Sequence, residues 1–386
     1  MSPAVIIAAL ALIIWAYLLL AHGGFWLMRE RDDLDEPKAE PTVWPKVTAV
    51  VPARNEADVI ARSIGGLVAQ DYPGDFRVIL VDDNSDDGTG DVARQAAAEL
   101  GVGERLKVLT GSPLPAGWTG KLWAVRQGVA QASLDAPDYL LLTDADIAHS
   151  PDNLRKLVSR AEAEGRVMVS LMARLTNETW AERFLIPAFV FFFDMLYPFG
   201  WVNNPRHRMA AAAGGCMLLR RDALAAAGGI DSIRAEIIDD CAMGRRMKSQ
   251  GSIWLGLTDR AVSLRPYRSI GEIGKMVSRS AYAQLGYSPW LLAGTILGMV
   301  LVYLSGPLLA LFGHGLARWL GLAVWIAMAV SFQPMLAFYR RSPLWGLALP
   351  VIGALYTAFT FDSAVQVWLG RGGMWKGRAQ AAAELR

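Results

Sequence analysis

The stretch Tyr139-Leu140-Leu141-Leu142-Thr143-Asp144-Ala145-Asp146 decides the fold of this chain. Its apolar run predicts a strand of a parallel sheet that is covered on both faces. Because alternate side chains of a strand share one side, Asp144 and Asp146 can face one point beyond its end. Such paired carboxylates suit Mg²⁺ or Mn²⁺ carrying a diphosphate, bound where open α/β sheets bind ligands. Asp-x-Asp triplets are common, so the alternative is two loop residues ahead of the helix after Pro151.

Composition places a polar middle between apolar ends. The chain has 386 residues with a formal net charge of +2, which gives no strong field for nucleic acid. Its first apolar run, Val5–Leu20, continues to Leu27 and ends before Arg29 and Arg31. Because no basic residue precedes the run and no small-x-small site follows it, we expect a signal anchor rather than a cleaved signal peptide. The two arginines favour a cytoplasmic C-terminal end for this anchor.

Three further apolar segments follow residue 288, at Trp290–Phe312, Leu316–Phe338 and Leu344–Leu369. The first two exceed the roughly 20 residues that cross a bilayer. The third contains Asp362 and Gln366, so it either spans with a tilt or ends in the interface. The number of crossings stays open, because four crossings return the chain to the outside while a basic tail favours the cytoplasm.

The middle of the chain alternates strands and helices. Apolar runs predict strands at 47–51, 76–81 and 105–109, and helical periodicity predicts helices near 60–68 and 91–100. Strand, polar turn and helix recur about every thirty residues, which is typical of a parallel sheet. The sequence has neither G-x-G-x-x-G after its first strand nor a P-loop motif, which argues against dinucleotide dehydrogenases and P-loop enzymes. Cys216 and Cys241 have no zinc-ligand spacing and are expected to be thiols.

Five motifs occur in order along residues 47 to 286. They are Pro52-Ala53-Arg54-Asn55-Glu56 with Val81-Asp82-Asp83-Asn84-Ser85, Gly120-Lys121 with Ala124 and Gly128, Asp144-Ala145-Asp146, Gly214-Gly215-Cys216-Met217 with Gly228-Gly229, and Asp239-Asp240-Cys241-Ala242-Met243-Gly244-Arg245-Arg246. Together they resemble an inverting family-2 glycosyltransferase with the GT-A fold. The departures are Arg126, where Asn is usual, and Asp239 in a Glu position.

The resemblance implies a role for each motif residue. Asp240 would be the catalytic base with Asp239 beside it, and Asp146 with Asp144 would bind Mg²⁺ or Mn²⁺. The residues expected to bind the nucleotide sugar are Pro52, Arg54, Asn55, Glu56, Asp82, Asp83, Lys121 and Asp144. The alternatives are a surface lysine at 121, a turn or helix cap at 82–83, and a plain helix start at 239–240.

The acceptor is expected to be a membrane lipid. Three further segments are Gly117-Trp118-Thr119-Gly120-Lys121-Leu122-Trp123, Ser263-Leu264-Arg265-Pro266-Tyr267 and Trp375-Lys376-Gly377-Arg378. With them, the chain resembles the hopanoid-associated membrane glycosyltransferases within the family, near the ceramide- and carotenoid-directed enzymes. Residues 270–285 form an apolar helical stripe that favours an interfacial helix, and the apolar run 184–193 is either a core helix or an interfacial segment. The residues expected on the acceptor side are Gly214, Gly215, Arg279, Tyr282 and Gln284.

The sequence therefore predicts an α/β GT-A, Rossmann-like, mostly parallel sheet domain between one N-terminal and about three C-terminal transmembrane helices. We expect a multi-pass protein of the bacterial inner membrane whose catalytic domain faces the cytoplasm. Two alternatives stay open: a processive polysaccharide synthase, although residues 279–285 lack Gln-x-x-Arg-Trp, and a non-enzymatic membrane scaffold. The divisions are an anchor (1–28), a linker (29–46), the catalytic domain (47–268), an interfacial helix (269–287), transmembrane helices (288–370) and a basic tail (371–386).

Overall fold

The computed structural model describes residues 2–37, 39–371, 374–375 and 378–379. The chain forms two compact units. The sheet unit comprises Glu30–Thr176, Trp201–Arg265 and Met374–Arg386, and the helical unit comprises Met1–Arg29, Asn177–Gly200 and Pro266–Gly373. Much of the predicted basic tail, including Lys376 and Arg386, lies outside the described residues.

The strands of the sheet unit are short and mostly buried. In chain order they are β1 (Val47–Ala53), β2 (Phe76–Asp82), β3 (Leu106–Thr110), β4 (Tyr139–Thr143), β5 (Ile147–His149), β6 (Met168–Arg174), β7 (Cys216–Arg220), β8 (Ile253–Ser263), β9 (Met374–Trp375) and β10 (Arg378–Ala379).

Helices occur in both units. In chain order they are α1 (Pro3–Leu20), α2 (Ile60–Val68), α3 (Thr89–Glu99), α4 (Gly120–Ser133), α5 (Asn153–Glu164), α6 (Trp180–Leu196), α7 (Phe199–Asn203), α8 (Arg221–Ala226), α9 (Asp239–Lys248), α10 (Ile270–Ser278), α11 (Ala281–Gln284), α12 (Pro289–Met299), α13 (Ser305–Phe312), α14 (Gly315–Ser331), α15 (Gln333–Phe338) and α16 (Leu349–Trp368). Short 3₁₀ helices lie at Phe25–Leu27, Gly103–Arg105, Ile230–Ile233 and Pro343–Ala348, and a π-helical turn lies at Val300–Leu304.

The main sheet has the order β3-β2-β1-β4-β7-β6-β8-β5. Strands β3, β2, β1 and β4 are parallel, β7 runs antiparallel to β4 and β6, β8 runs parallel to β6, and β5 runs antiparallel to β8. All residues of β1 and β4 are buried, because helices cover a parallel sheet on both faces. The mostly parallel α/β sheet predicted from the sequence is confirmed.

This order gathers the predicted motifs at one edge of the sheet. The carboxyl ends of β1, β2 and β4 meet there, because these three strands are parallel neighbours. The start of β7 reaches the same edge, since Thr143 pairs with Cys216 in the antiparallel register. Strand β8 ends beside β5, with Ser263 opposite Ile147. Segments that are far apart in sequence therefore converge just beyond Asp144.

Four helical segments of the helical unit are long and apolar enough to cross a membrane, among the residues that the structure describes. They are Pro3–Leu20, Pro289–Phe312, Gly315–Phe338 and Pro343–Trp368. Large apolar side chains are exposed along them, as in Ile13 and Trp290. The prediction of one N-terminal and three C-terminal apolar helices is confirmed.

The predicted single helix over 269–287 is instead two short helices, α10 and α11. They pack against α16, whose polar residues explain the break. Ser278 Oγ donates to Asp362 Oδ2 at 2.8 Å, and the Tyr282 amide donates to Ser363 Oγ at 3.0 Å. Ile273, on the predicted stripe, is fully buried in the unit. At this position, other residues of the protein therefore cover the apolar side of the helix.

The apolar run 184–193 lies within α6. A capping box starts this helix, in which the Thr179 and Glu182 side chains each accept a backbone hydrogen bond from the other's residue. Pro187 lies inside the helix, and most residues of the run are buried in the helical unit. The segment was predicted to be either a core helix or an interfacial segment, and in the structure it is a packed helix.

Candidate active site

The loops after β1 and β2 are tied together by side chains. The Asn55 amide donates to Ser85 Oγ at 3.0 Å, and the Asp86 amide donates to Asn55 Oδ1 at 3.1 Å. Asp82 Oδ1 accepts from the Ser85 amide at 2.9 Å, which closes a turn of the predicted type. Asn55 has a φ of 50°, a left-handed conformation that Asn tolerates better than most residues. These loops form a preorganised wall at the sheet edge.

Arg54 and Asp83, two predicted nucleotide-binding residues, are neighbours in this wall. Arg54 Nη1 lies 3.9 Å from Asp83 Oδ2 and donates to the Asn84 carbonyl at 3.3 Å. The Asp83 side chain is 1% exposed, beside Gly111. The Arg54 guanidinium is more accessible, and it presents the positive charge at this position.

Lys121 links two acidic motifs. Its Nζ lies 2.8 Å from Asp144 Oδ1 and 3.2 Å from Asp239 Oδ2. The Thr119 side chain caps α4 by accepting from the Leu122 amide, which places Lys121 in the first turn of the helix. Burial opposes the charge of Lys121, but Asp144 and Asp239 outweigh it and raise the lysine pKa. Lys121 is thus a charged member of the site and no longer a candidate surface lysine.

The same cluster perturbs Asp144. Burial raises the pKa of this carboxyl, the Lys121 ammonium opposes the rise, and Asp146 adds to it. Lys121 and Asp144 face a small pocket that is partly open to solvent. Pro52, Gly214 and Asp239 also line it, above an apolar floor made by Leu122, Val125, Leu142, Met217, Ile230, Ile233 and Met243.

Asp240 is held by two backbone amides at the start of α9. Its Oδ1 accepts from the Cys241 amide at 2.7 Å, and its Oδ2 accepts from the Gly214 amide at 3.1 Å. Burial and the neighbouring Asp239 raise the pKa of Asp240 to about 6, although Lys121 and both amides oppose the rise. Each carboxylate oxygen keeps a second lone pair, so a fixed, ionised carboxylate can accept a proton near neutral pH.

Gly244 lets α9 approach the segment that carries Gly214. A Cβ at Gly244 would lie 2.7 Å from the backbone carbon of Ala211, which is closer than real Cβ contacts. Gly214 and Gly215 follow three and four residues after Ala211, and a Cβ at Gly214 would only touch Asp240 at 3.5 Å. Gly244, one helical turn after Asp240 in α9, is therefore the position that requires glycine.

Asp146 contacts a residue to which the sequence assigns no function. Arg265 Nε donates to Asp146 Oδ2 at 3.0 Å, and Arg265 Nη2 donates to Glu56 Oε2 at 2.6 Å. Arg265 stood out only within a Ser-Leu-Arg-Pro-Tyr segment. No strand is predicted ahead of Arg265, and its partner lies 119 positions away, so the sequence carries no local signal for this contact.

The sequence also carries no signal for a chain of buried polar residues that lies beside the site. Asn153 Nδ2 donates to His149 Nδ1 at 2.8 Å, so the ring proton lies on Nε2, 2.9 Å from Thr143 Oγ1. The Thr143 hydroxyl then donates to the Gly215 carbonyl at 2.7 Å. Burial lowers the pKa of His149 to about 4, which keeps the ring neutral. This chain fixes the start of β7 against the end of β4.

The donor set near Asp144 fits a hard divalent ion. Mg²⁺ and Mn²⁺ take carboxylate oxygens and commonly use one or two carboxylates together with substrate phosphates. The residues described hold no group of three or more His, Cys, Asp or Glu side chains arranged for a metal. Asp144 and Asp146 would therefore hold such an ion together with oxygens from water or from the diphosphate.

The predicted acceptor residues belong to both units. Gly214 and Gly215 lie in the sheet unit, whereas Arg279, Tyr282 and Gln284 lie in the helical unit. Tyr282 is 1% exposed, and Gln284 Nε2 donates to Tyr197 Oη at 2.6 Å. An acceptor role for these three side chains stays a prediction.

Two family models match the chain. The model of Glycosyl transferase family 2 matches residues 48–228, and that of Glycosyl transferase family group 2 matches residues 139–360. The second match covers more than half of the chain and extends over both units.

Curated relatives match part of the chain. An N-acetylglucosaminyltransferase of Mesorhizobium japonicum is 30% identical over 207 residues, which are 49% of this chain and 42% of the relative. A beta-monoglucosyldiacylglycerol synthase of Trichormus variabilis is 31% identical over 134 residues, 34% of this chain and 27% of the relative. The matched stretch thus covers less than half of the length of these relatives.

A solved structure shares the fold. The mannosyltransferase PcManGT of Pyrobaculum calidifontis, in complex with GDP-Man and Mn²⁺, has a TM-score of 0.55 at 20% identity. The likeness covers 95% of this chain and 99% of that one. It shows the GT-A architecture with its apolar helices.

Proposed function

Because this chain belongs to glycosyl transferase family group 2, we propose that it moves a sugar from a nucleoside-diphosphate donor to a lipid hydroxyl, with inversion at the sugar carbon. The observation that carries the proposal is the Asp240 carboxylate. Two backbone amides orient it, it is ionised near neutral pH, and it lies beside the Lys121–Asp144–Asp239 cluster.

The proposed reaction is a single displacement. The acceptor hydroxyl attacks the anomeric carbon on the face opposite the diphosphate, and its proton passes to Asp240 as the new bond forms. The bond from the anomeric carbon to the diphosphate breaks, and the electron pair leaves with the diphosphate. Lys121 places a fixed positive charge at the pocket, where it would stabilise the negative charge of this leaving group.

A divalent ion held by Asp144, Asp146 and the diphosphate would spread the charge of the leaving group. Support for this part is the carboxylate donor set, together with PcManGT, which was solved with GDP-Man and Mn²⁺. We propose Mg²⁺ or Mn²⁺ as the ion. The wall formed by Arg54, Asn55, Asp82 and Asp83 would receive the nucleotide, with Asp83 as the proposed hydrogen-bond partner of the nucleobase.

The lipid acceptor is supported by the apolar helices and by one relative. Four helices could cross a bilayer, and the Trichormus variabilis relative is named a beta-monoglucosyldiacylglycerol synthase. We place the protein in the bacterial inner membrane with its sheet unit in the cytoplasm, where nucleotide sugars are made. A hopanoid is the specific acceptor that the sequence resemblance favours.

The test is a donor and acceptor screen on the full-length protein in detergent. UDP- and GDP-sugars are incubated with bacterial membrane lipids, with and without hopanoids, and lipids that gain a sugar mass are identified by mass spectrometry. Asp240→Asn should give no product, whereas Asp135→Asn, at an exposed ion pair with Arg77, should match the wild type. No product with any donor, or equal product from Asp240→Asn, would overturn the proposal.

A further inference from the structure

The backbone of the sheet positions Arg265 beside Asp146, one of the two proposed metal ligands. Strand β8 ends at Ser263, which pairs with Ile147 of β5, and the Leu264 amide then donates to the Asp146 carbonyl at 2.7 Å. The next residue, Arg265, is fixed in turn because its carbonyl accepts from Thr176 Oγ1 at 3.1 Å. Its backbone position is therefore defined on both sides.

The Arg265 guanidinium bridges two carboxylates from different strand ends. Nε lies 3.0 Å from Asp146 Oδ2, and Nη2 lies 2.6 Å from Glu56 Oε2. The Glu56 side chain is 10% exposed and the Asp146 side chain 19%, whereas 34% of the Arg265 side chain is exposed. The arginine thus covers one oxygen of Asp146 from the solvent side.

This arrangement sets two cations against one carboxylate. The guanidinium of Arg265 is charged at any physiological pH, and its two counter-charges are Glu56 and Asp146. A divalent ion bound to Asp146 would experience this charge at short range, where like charges repel by kilocalories per mole even at high dielectric. An arginine that only braced the loops would have no need to contact the carboxylate expected to bind metal.

We propose that Arg265 and the divalent ion exchange on Asp146, and that the displaced guanidinium then binds the donor's diphosphate. This inference rests on the proposed function for its second half. Glu56 holds one end of the guanidinium and serves as a pivot, while the partly exposed side chain gives the other end room to turn. A planar guanidinium donates two parallel hydrogen bonds to phosphate oxygens, which suits it to a diphosphate. Arg265 would thereby couple arrival of the donor to formation of the metal site.

The experiment measures metal and nucleotide binding separately on the full-length protein in detergent. Free Mn²⁺ is followed by electron paramagnetic resonance without nucleotide, and UDP, UMP, GDP and GMP affinities are measured by calorimetry with Mn²⁺. The variants are Arg265→Met and Arg265→Lys. Arg77→Met is the control, because Arg77 is an exposed arginine paired with Asp135 at the other end of the sheet.

Arg265→Met should tighten Mn²⁺ binding without nucleotide by about tenfold or more, since a competing charge is removed. It should also reduce the preference for diphosphate over monophosphate by about tenfold. Arg265→Lys keeps the charge but loses the fork, so it should keep the weak Mn²⁺ binding and lose the diphosphate preference. Arg77→Met should match the wild type in both measurements.

Unchanged or weaker Mn²⁺ binding by Arg265→Met would overturn the exchange and leave Arg265 as a structural brace. An unchanged diphosphate preference would overturn the second half of the proposal. Should the proposed glycosyl transfer itself be wrong, the wild type would bind neither nucleotide diphosphate. The Mn²⁺ measurement would still decide whether Arg265 competes for Asp146.

Discussion

Replacement of Asp240 by Asn should lower kcat strongly and at the same time stabilise the protein at neutral pH. Burial and Asp239 raise the pKa of Asp240 to about 6, from 3.8 for a free aspartate. At 1.36 kcal/mol per pKa unit, this difference corresponds to about 3 kcal/mol of stability lost by keeping the carboxylate ionised. Solvent screening makes about 1–3 kcal/mol a realistic range. Asn keeps the shape and carries no charge, but its NH2 group cannot accept from the second of the two backbone amides that hold Asp240, which offsets part of this gain.

The stability gain should depend on pH in a defined direction. A carboxyl with a raised pKa favours the folded state when it is protonated. That contribution is fully present below about pH 4 and is lost as the pH rises through about 6. The stability of Asp240→Asn relative to wild type should therefore be lowest at pH 4 and highest above pH 7. Each kcal/mol should raise the melting temperature by about 2–4 °C in a unit of this size.

The catalytic rate of Asp240→Asn should fall even though its stability rises. A positioned base contributes about 10²–10⁴-fold, so kcat of Asp240→Asn should fall by that factor while donor affinity changes little. Wild-type kcat should fall roughly tenfold between pH 7 and pH 5, as Asp240 becomes protonated with a midpoint near 6.

Both quantities can be measured on the full-length protein in detergent. Tryptophan-fluorescence melting curves between pH 4 and pH 8 give the stability difference, and lipid-linked product gives the rate. Asp135→Asn is the control, because its carboxylate is exposed and should show neither effect. A variant that is less stable than wild type at pH 8, or that differs from it equally at every pH, would refute the reasoning.

Three further outcomes are expected. Asp83→Asn should raise the donor KM about tenfold with a smaller change in kcat, because a base-recognition contact is made equally in the ground and transition states; a fall in kcat alone would contradict this. EDTA should abolish transfer and Mg²⁺ or Mn²⁺ should restore it, whereas full activity in chelator would remove the metal from the mechanism. Gly244→Ala should lower kcat and the melting temperature, because its Cβ would meet the Ala211 backbone at 2.7 Å and push away the segment that holds Asp240; an unchanged melting curve would show that α9 shifts freely.

Local patterns were enough to predict the sheet. Strands such as β1 and β4 are buried on both faces. A strand of this kind needs apolar residues at nearly every position, so it is visible in the sequence as a continuous apolar run. The carboxyl ends of parallel neighbours must share an edge, so the gathering of Asp83 and Asp144 at one edge also followed from sequence. Their roles came from the resemblance alone and stay predictions.

Tertiary pairing set the features that the sequence did not predict. Arg265 reaches Asp146 because β8 runs antiparallel to β5, and this pairing has no local signature. Likewise, the stripe from 270 to 285 has the correct period for one helix, yet contacts of Ser278 with α16 divide it. Local periodicity describes which residues are covered but not what covers them.

The contact between Ser278 and Asp362 bears on how the chain could enter a membrane during synthesis. A carboxylate in a spanning helix makes insertion less favourable, by about 2.5–3.5 kcal/mol at the centre and by less toward the ends. Asp362 lies six residues before the end of α16, and Ser278 belongs to α10, which leaves the ribosome first. The hydrogen-bond donor for Asp362 is therefore already synthesised when α16 emerges. Helix α16 can then pair with α10 as it is inserted, so the order of synthesis is the same as the order of assembly.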